Sequence, residues 1–325
     1  MLSVLLLLLI YCIYLMCKIN CHPFYILLLI GLISTISANR ISLGLGADSA
    51  TYHHLFENLN FDLMYLVYEP VFYIPMFIFG YFANFEIFAF CISIIVCLIY
   101  VRILKFKTLG IFSATYLPLL VFNTITNGVR IGLAMMIFSY FYASLNTRKA
   151  YFIAVLSHIS FILLLPFHIL YKSDKRRLIP VMFFIIFCIL IASQFSSTLI
   201  QSVQSYIITK INVYEILVTP SIYSGLADIY ILTLPFTILC VRGVVSKSSL
   251  KIYVATLVLA LIIKIYFGEL YFSLRILKLL SFISFFILCR EIVQINNFRT
   301  RARMSYLAFF MFLPYTVNYI FDGLT

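Results

Sequence analysis

The chain has 325 residues, of which 64% are hydrophobic and 10% charged, with a formal net charge of +12 and a mean hydropathy of +1.10. A water-soluble domain needs far more polar residues to cover its surface, so that class is excluded. The excess of Lys and Arg gathers in short clusters between apolar runs, where it serves membrane orientation and headgroup contact rather than nucleic-acid binding.

A helix crosses the hydrocarbon with about 20 apolar residues, whereas transmembrane strands show short alternating segments. The runs here are continuous, which predicts an all-α, polytopic transmembrane helical bundle. Apolar runs fall at 2–17, 24–38, 66–82, 84–101, 109–125, 128–145, 150–171, 178–195, 225–241, 250–267, 270–290 and 304–321. They give about ten to twelve spans. The first, within "MLSVLLLLLIYCIYLMCKIN", lacks a basic leader and a small-residue cleavage site and reads as a retained span. Two longer polar connections, 39–65 and 196–224, interrupt the series. No repeat or second domain is visible, so 1–325 reads as one integral membrane domain. Trp is absent, leaving 24 Tyr and 33 Phe to form aromatic belts.

Five basic clusters set the orientation: "RILKFK" (102–107), "NTRK" (146–149), "KSDKRR" (172–177), "VRGVVSKSSLK" (241–251) and "REIVQINNFRTRAR" (290–303). All are expected on the cytoplasmic side, which sets 39–65 and 196–224 outside. If every run crosses once, the first two clusters fall opposite the other three. If 66–82, with Glu69, Pro70 and Pro75, is a partial helix and 150–171 turns back at "SHIS" (157–160), all five share one side. The two versions differ in the side taken by 126–130.

Charges at membrane depth are costly and therefore mark candidate sites. In chain order, the loop "GLGADSATYHHLFENLN" (44–60) carries Asp48 before a helix start, as a helix cap or a functional carboxylate. His53 and Glu57 lie four apart, too few ligands for a metal site, so none is expected. "FNTITNGVRIGLAMM" (122–136) sets Asn123 and Asn127 beside a turn, with Arg130 in the first helical turn after it. There it is an anion-binding fork or a snorkelling interfacial Arg. His158, deep in an apolar run and flanked by serines, is a candidate for proton transfer or a packed, hydrogen-bonded residue. Arg275 and Lys278 are three apart on one helical face, set for anion binding or for pairing with Glu269 or Asp228. The eight cysteines contain no CxxC spacing and read as small apolar residues. Nucleotide and zinc motifs are missing, and no cofactor is expected.

The order of these features resembles the EpsG-like branch of the Wzy-type O-antigen and polysaccharide polymerases. "GADSATY" (Asp48, Tyr52) matches that family's "GxDxxxY" loop, "NGVRIGLA" (Asn127, Arg130, Ala134) its "NxxRxxxA", and "LSHISFILLLP" (His158, Ser160, Pro166) its "AxxFHxSAxxxLP" stretch; "YEPVFY" (Glu69, Pro70) and "LRILKLL" (Arg275) fall in the expected order. Ile131 follows Arg130 where the family commonly has Gln. The resemblance implies a glycosyltransferase of the bacterial inner membrane. It would move a growing glycan from undecaprenyl pyrophosphate onto an incoming lipid-linked repeat unit at the periplasmic face. In that reading Arg130, Arg275 and Lys278 hold the pyrophosphate. Asp48, Glu69 or His158 is the base, and Tyr52 and Asn127 contact glycan. Membrane lipid and the undecaprenyl-pyrophosphate-linked oligosaccharide are the expected partners, with a chain-length regulator and a flippase as candidate protein partners and no nucleic acid. The rival readings are a repeat-unit flippase or transporter and a membrane acyltransferase. The first would show matching broken repeats and the second an early Arg–His pair, which Arg40 lacks.

Overall fold

The computed structural model describes residues 2–46, 48–58, 69–144, 146–164, 246, 249–250, 253–254, 256–260 and 271–322, by backbone alone at 147, 159, 163, 271–276 and 314–322. Among the described residues every regular element is helical. The chain divides into two compact units, Met1–Leu165 with Ile292–Thr325, and Pro166–Glu291.

The first unit opens with α1 (Leu2–Lys18) and α2 (Pro23–Ala38). Pro23 takes the first helical position of α2, and the His22 ring caps it by accepting the Phe24 N–H at 3.2 Å. Both helices leave large apolar side chains uncovered, among them Leu5, Leu8, Leu15, Phe24, Leu27 and Leu28. That outer face suits hydrocarbon and not water. Next come α3 (Ser49–Glu57), α4 (Pro70–Gly80) and α5 (Phe85–Leu104). Asn84 caps α5, its Oδ1 accepting the Ile87 N–H at 3.0 Å. Glu86 in the first turn and Arg102 in the last complement the helix dipole. Of the described helices, α5 is the one long and apolar enough to cross a bilayer by itself.

The run 109–125 is not one straight helix. After a 3₁₀ turn (Lys107–Leu109), α6 (Gly110–Ala114) and α7 (Tyr116–Thr126) meet at Thr115 with a bend of 65°. Pro118 explains the break: it lacks an N–H, and its ring crowds the Ala114 carbonyl four residues back. Then follow α8 (Val129–Ala143), α9 (Thr147–Ser157) and a 3₁₀ segment (Ile159–Leu164). Helix α8 packs along α9 and against α7, while α5 packs along α2 and also meets α1, α7 and α8.

This packing gives the first unit two distinct ends. At one, Lys18 donates through Nζ to the Leu104 carbonyl at 3.2 Å. Lys105 and Lys107 are exposed beside it, and Phe106 meets Tyr140 near the foot of α8 with ring centroids 5.8 Å apart. At the other, Phe85 opens α5 against His53 and Phe56 of α3, at 5.2 and 5.8 Å. There α7 ends, α8 begins and α9 ends. Helix α4, with 11 residues, reaches roughly 16 Å. It starts at this second end and keeps Phe72 and Phe79 against Phe88 of α5, at 5.9 and 5.8 Å. As described, it is shorter than a bilayer crossing needs.

In the second unit, α10 (Tyr271–Val293, its last two residues counted with the first unit) carries a buried face of Phe282, Phe285 and Phe286. Polar groups lock this unit internally. Tyr253 donates through its hydroxyl to the Ser284 carbonyl at 2.6 Å, and Ser249 through Oγ to Glu291 at 2.7 Å. The last helix, α11 (Phe298–Asp322), begins six residues earlier than the apolar run at 304 predicts. Asn297 accounts for this, its Oδ1 accepting the N–H of Arg299 at 3.0 Å and of Thr300 at 3.2 Å.

Two glycines mark close approaches. Gly132 of α8 lies where a Cβ would collide with the Thr124 side chain of α7, so it sets the spacing of those helices. Gly46 has φ +75°, and a Cβ there would run into the Thr126 carbonyl, whereas Gly44, at φ +63°, faces open space. Gly46→Ala should therefore combine left-handed strain with overpacking and cost about 2–4 kcal/mol. Gly44→Ala should cost about 1–2 kcal/mol from strain alone. Thermal unfolding of the two variants in detergent checks the order, and equal midpoints would remove the Thr126 contact from the explanation.

Candidate functional site

The site is assembled on the end of α7. The last carbonyls of a helix have no partner within it, and in α7 two of them are satisfied from the end of α2, the loop after it and the start of α3. Ser37 Oγ and Arg40 Nη1 donate to the Ile125 carbonyl at 2.8 and 3.3 Å, and Ser49 Oγ donates to the Thr126 carbonyl at 3.0 Å. Ser93 of α5 steadies Ser37, Oγ to Oγ at 2.6 Å. The N–H groups of Asn127 and Gly128 both donate to the Asn123 carbonyl, at 2.9 and 2.8 Å, closing a tight turn. Asn127 Oδ1 then accepts the Asp48 N–H at 2.9 Å. The opening loop is thereby fixed to the "NG" turn, 79 residues away in sequence.

Asp48 occupies the N-cap position of α3, but its side chain makes no capping bond to that helix. Its described contribution is the backbone N–H held by Asn127, which makes Asn127 a clamp on the loop. One turn into α3, Tyr52 is buried at 7% exposure with its ring edge-on to Phe72, centroids 5.9 Å apart. Glu69 precedes α4, and its carbonyl accepts the N–H groups of Phe72 and Tyr73 at 3.1 and 3.0 Å. Glu69 and Tyr73 thus stand one helical turn apart on the same face.

Arg130, second residue of α8, reaches this pair. Its Nη1 donates to Glu69 Oε2 at 3.0 Å and to the Tyr73 hydroxyl at 2.9 Å. Its Nε lies 3.5 Å from the Tyr52 hydroxyl, and the guanidinium stands 5.6 and 5.9 Å from the Tyr52 and Tyr73 ring centroids. The other carboxylate oxygen, Glu69 Oε1, is 3.8 Å from His158 Nε2. His158 terminates α9 in an extended conformation, φ −155° and ψ 120°. Its own N–H donates to the Ala154 carbonyl at 2.9 Å, and its Nδ1 accepts the Ser160 N–H at 3.2 Å. Exposure of the three ionisable side chains is 15% for Arg130, 6% for Glu69 and 12% for His158. A buried carboxylate held by a guanidinium on one side and an imidazole on the other, with two phenols, is equipped to move a proton and to bind an anion.

Of the residues singled out from sequence, Tyr52, Glu69, Arg130 and His158 converge side chain to side chain, while Asp48 and Asn127 fix their support. His53 and Glu57 form a separate pair at 3.4 Å. Among the described residues no group of three or more His, Cys, Asp or Glu could hold a metal ion. Lys278 lies on α10 in the second unit, partly buried. The Arg275 side chain, Glu269 and Asp228 lie outside the described residues. Two participants escape the sequence reading. Tyr73 is signalled by its spacing from Glu69 once Pro70 is read as a helix start. Arg40, 3% exposed, stacks on Phe85 at 4.9 Å, and burial pushes its guanidinium down to about 10, partly opposed by Tyr52.

No curated protein and no solved structure matches the chain. The model of the EpsG family matches residues 23–324, nearly the whole length, and that family is Wzy-type polymerase-like. The match contains all the residues that meet at Arg130, and the chain belongs to the EpsG family.

Proposed function

We propose that the chain is a polysaccharide polymerase. It transfers a growing glycan from undecaprenyl pyrophosphate onto an incoming lipid-linked repeat unit at the periplasmic face of the bacterial inner membrane. The observation that supports this best is the convergence of Tyr52, Glu69, Tyr73, Arg130 and His158 at the end of the bundle away from Lys18, Lys105 and Lys107. If the basic end faces the cytoplasm, the 20 residues of α5 carry the site about 30 Å away, to the opposite face.

Polymerisation of this kind asks for cations that stabilise a departing pyrophosphate and a base that takes a proton from the acceptor hydroxyl. Arg130 supplies the fork suited to phosphate oxygens, with Arg275 and Lys278 as further candidates, and Glu69, His158 and Asp48 are the candidate bases. Tyr52 offers a ring and a hydroxyl to sugar. Isoprenoid lipid reaches the site between apolar helices. A chain-length regulator and a flippase would act with the polymerase.

Deleting the gene should leave surface glycan limited to a single repeat unit, whereas loss of a flippase leaves almost none outside. A gel of surface polysaccharide separates the two. Arg130→Ala would strand the buried Glu69 carboxylate, so the sharper variant is Arg130→Lys, which keeps the charge and loses the fork. It should shorten the glycan ladder at unchanged protein level, and Arg275→Ala should do the same. A normal ladder in both variants would remove these cations from the site. For sidedness, single cysteines in a cysteine-free background at the exposed positions Ser42 and Lys107 should react with an impermeant thiol reagent from outside only at Ser42. Labelling of Lys107→Cys from outside would reverse the orientation.

A further inference from the structure

We infer that Glu69 is the base of the transfer and that Arg130 changes counter-ion during it, passing from the Glu69 carboxylate to the departing pyrophosphate, with His158 as a positioning residue. This rests on the polymerase reading and adds to it which group takes the proton and how that step is tied to departure of the leaving group.

The hydrogen bonds around His158 choose between the candidate bases. Nδ1 accepts the Ser160 N–H at 3.2 Å, so the neutral ring carries its proton on Nε2. Nε2 is the nitrogen that faces Glu69 Oε1 at 3.8 Å. That distance is an electrostatic contact rather than a formed hydrogen bond, with the N–H dipole directed at the carboxylate. The lone pair that a histidine base would use is the one engaged by the Ser160 backbone. Glu69 is the carboxylate in contact with the guanidinium, at 3.0 Å.

The charge balance shows why this pairing matters. In the transfer the acceptor O–H bond breaks and its proton goes to Glu69. The acceptor oxygen forms a bond to the anomeric carbon of the growing chain, and the bond from that carbon to the pyrophosphate oxygen breaks. The bonding pair leaves with the pyrophosphate, which gains one negative charge as Glu69 loses one. The total negative charge around Arg130 is therefore the same before and after, having moved from the carboxylate to the pyrophosphate, and the transfer itself creates no unpaired buried ion, which would be costly. Tyr73 and Tyr52 make the exchange feasible. They accept from Nη1 at 2.9 Å and Nε at 3.5 Å, keeping the guanidinium aimed while the carboxylate releases it.

The test uses the full chain in lipid nanodiscs, with undecaprenyl-pyrophosphate-linked repeat units for turnover and farnesyl pyrophosphate as the binding probe. Glu69→Gln keeps an acceptor for Arg130 but cannot take a proton. Its turnover should fall by about 10²–10⁴-fold, the usual range for a lost acid–base group, while affinity for farnesyl pyrophosphate stays the same or rises, because Arg130 has lost its competing anion. Glu69→Asp keeps a carboxylate and should turn over faster than Glu69→Gln at equal protein yield. His158→Gln places an amide N–H where the Nε2–H stood and should stay well above Glu69→Gln, with His158→Ala lower. The inference is overturned by near-normal turnover in Glu69→Gln, by equal rates for the Asp and Gln variants, by weaker pyrophosphate binding in Glu69→Gln, or by His158→Gln as inactive as Glu69→Gln. Gene deletion keeps the two levels apart. A deletion that leaves long glycan intact removes the polymerase reading itself, whereas a deletion that collapses the ladder while Glu69→Gln restores it removes only the role of Glu69.

Discussion

The arrangement of the first unit depends on how the carbonyls at the end of α7 are satisfied. Two of them, at Ile125 and Thr126, take hydrogen bonds from Ser37, Arg40 and Ser49, and the next residue, Asn127, holds the Asp48 backbone. In an apolar surround an unmet carbonyl is expensive, so these bonds are obligatory as well as favourable. They draw a loop from early in the chain onto a turn that comes some 80 residues later, and they do it beside the first turn of α8. Arg130 and Tyr52 are neighbours because of that one junction. Gly46 belongs to the same constraint, since the Thr126 carbonyl leaves no room for a side chain there.

The same requirement governs the interruption at His158. A helix that stops within an apolar layer exposes backbone groups that hydrocarbon cannot serve. Here the histidine serves them: its N–H donates to Ala154, its carbonyl accepts from Phe161 at 3.0 Å, and its ring accepts the Ser160 N–H. Sealing the break and directing Nε2 toward Glu69 are accomplished by one side chain. Pro118 breaks α6 from α7 by a different route, through steric exclusion, and the result there is a bend rather than a site.

Much of this was legible in the residues and their order. Continuous apolar runs predict helices, Arg130 and His158 stand out because ionisable groups are rare within such runs, and Glu69 enters through the order of motifs that the family resemblance supplies. The "NG" pair marks the turn before α8, and "SHIS" the end of α9. What the residues do to one another was not legible. Asp48 reads as a helix cap or a functional carboxylate, yet its side chain makes no capping bond to α3, and its helical φ −80° and ψ −5° are not the extended conformation of a capping residue. Arg130 reads as an anion-binding cation in search of a ligand, but it has a carboxylate partner, contributed by a segment whose place in space no local pattern gives. Tyr73 looks like one more aromatic among 57 Tyr and Phe until Arg130 is seen to touch it. Pairings of this kind arise from packing over long sequence separations, where propensity and periodicity are silent.

The depth of Glu69 carries one more consequence. A group able to accept a proton from a sugar hydroxyl could accept one from water equally well, and water would end the chain by hydrolysis rather than extend it. With its side chain 6% exposed, between Arg130 and His158, the carboxylate is shielded from casual solvent. In the polymerase reading, the fidelity of chain growth then lies less in the strength of the base than in how few molecules can reach it. An acceptor held by its own lipid anchor arrives already oriented, and a free water molecule does not.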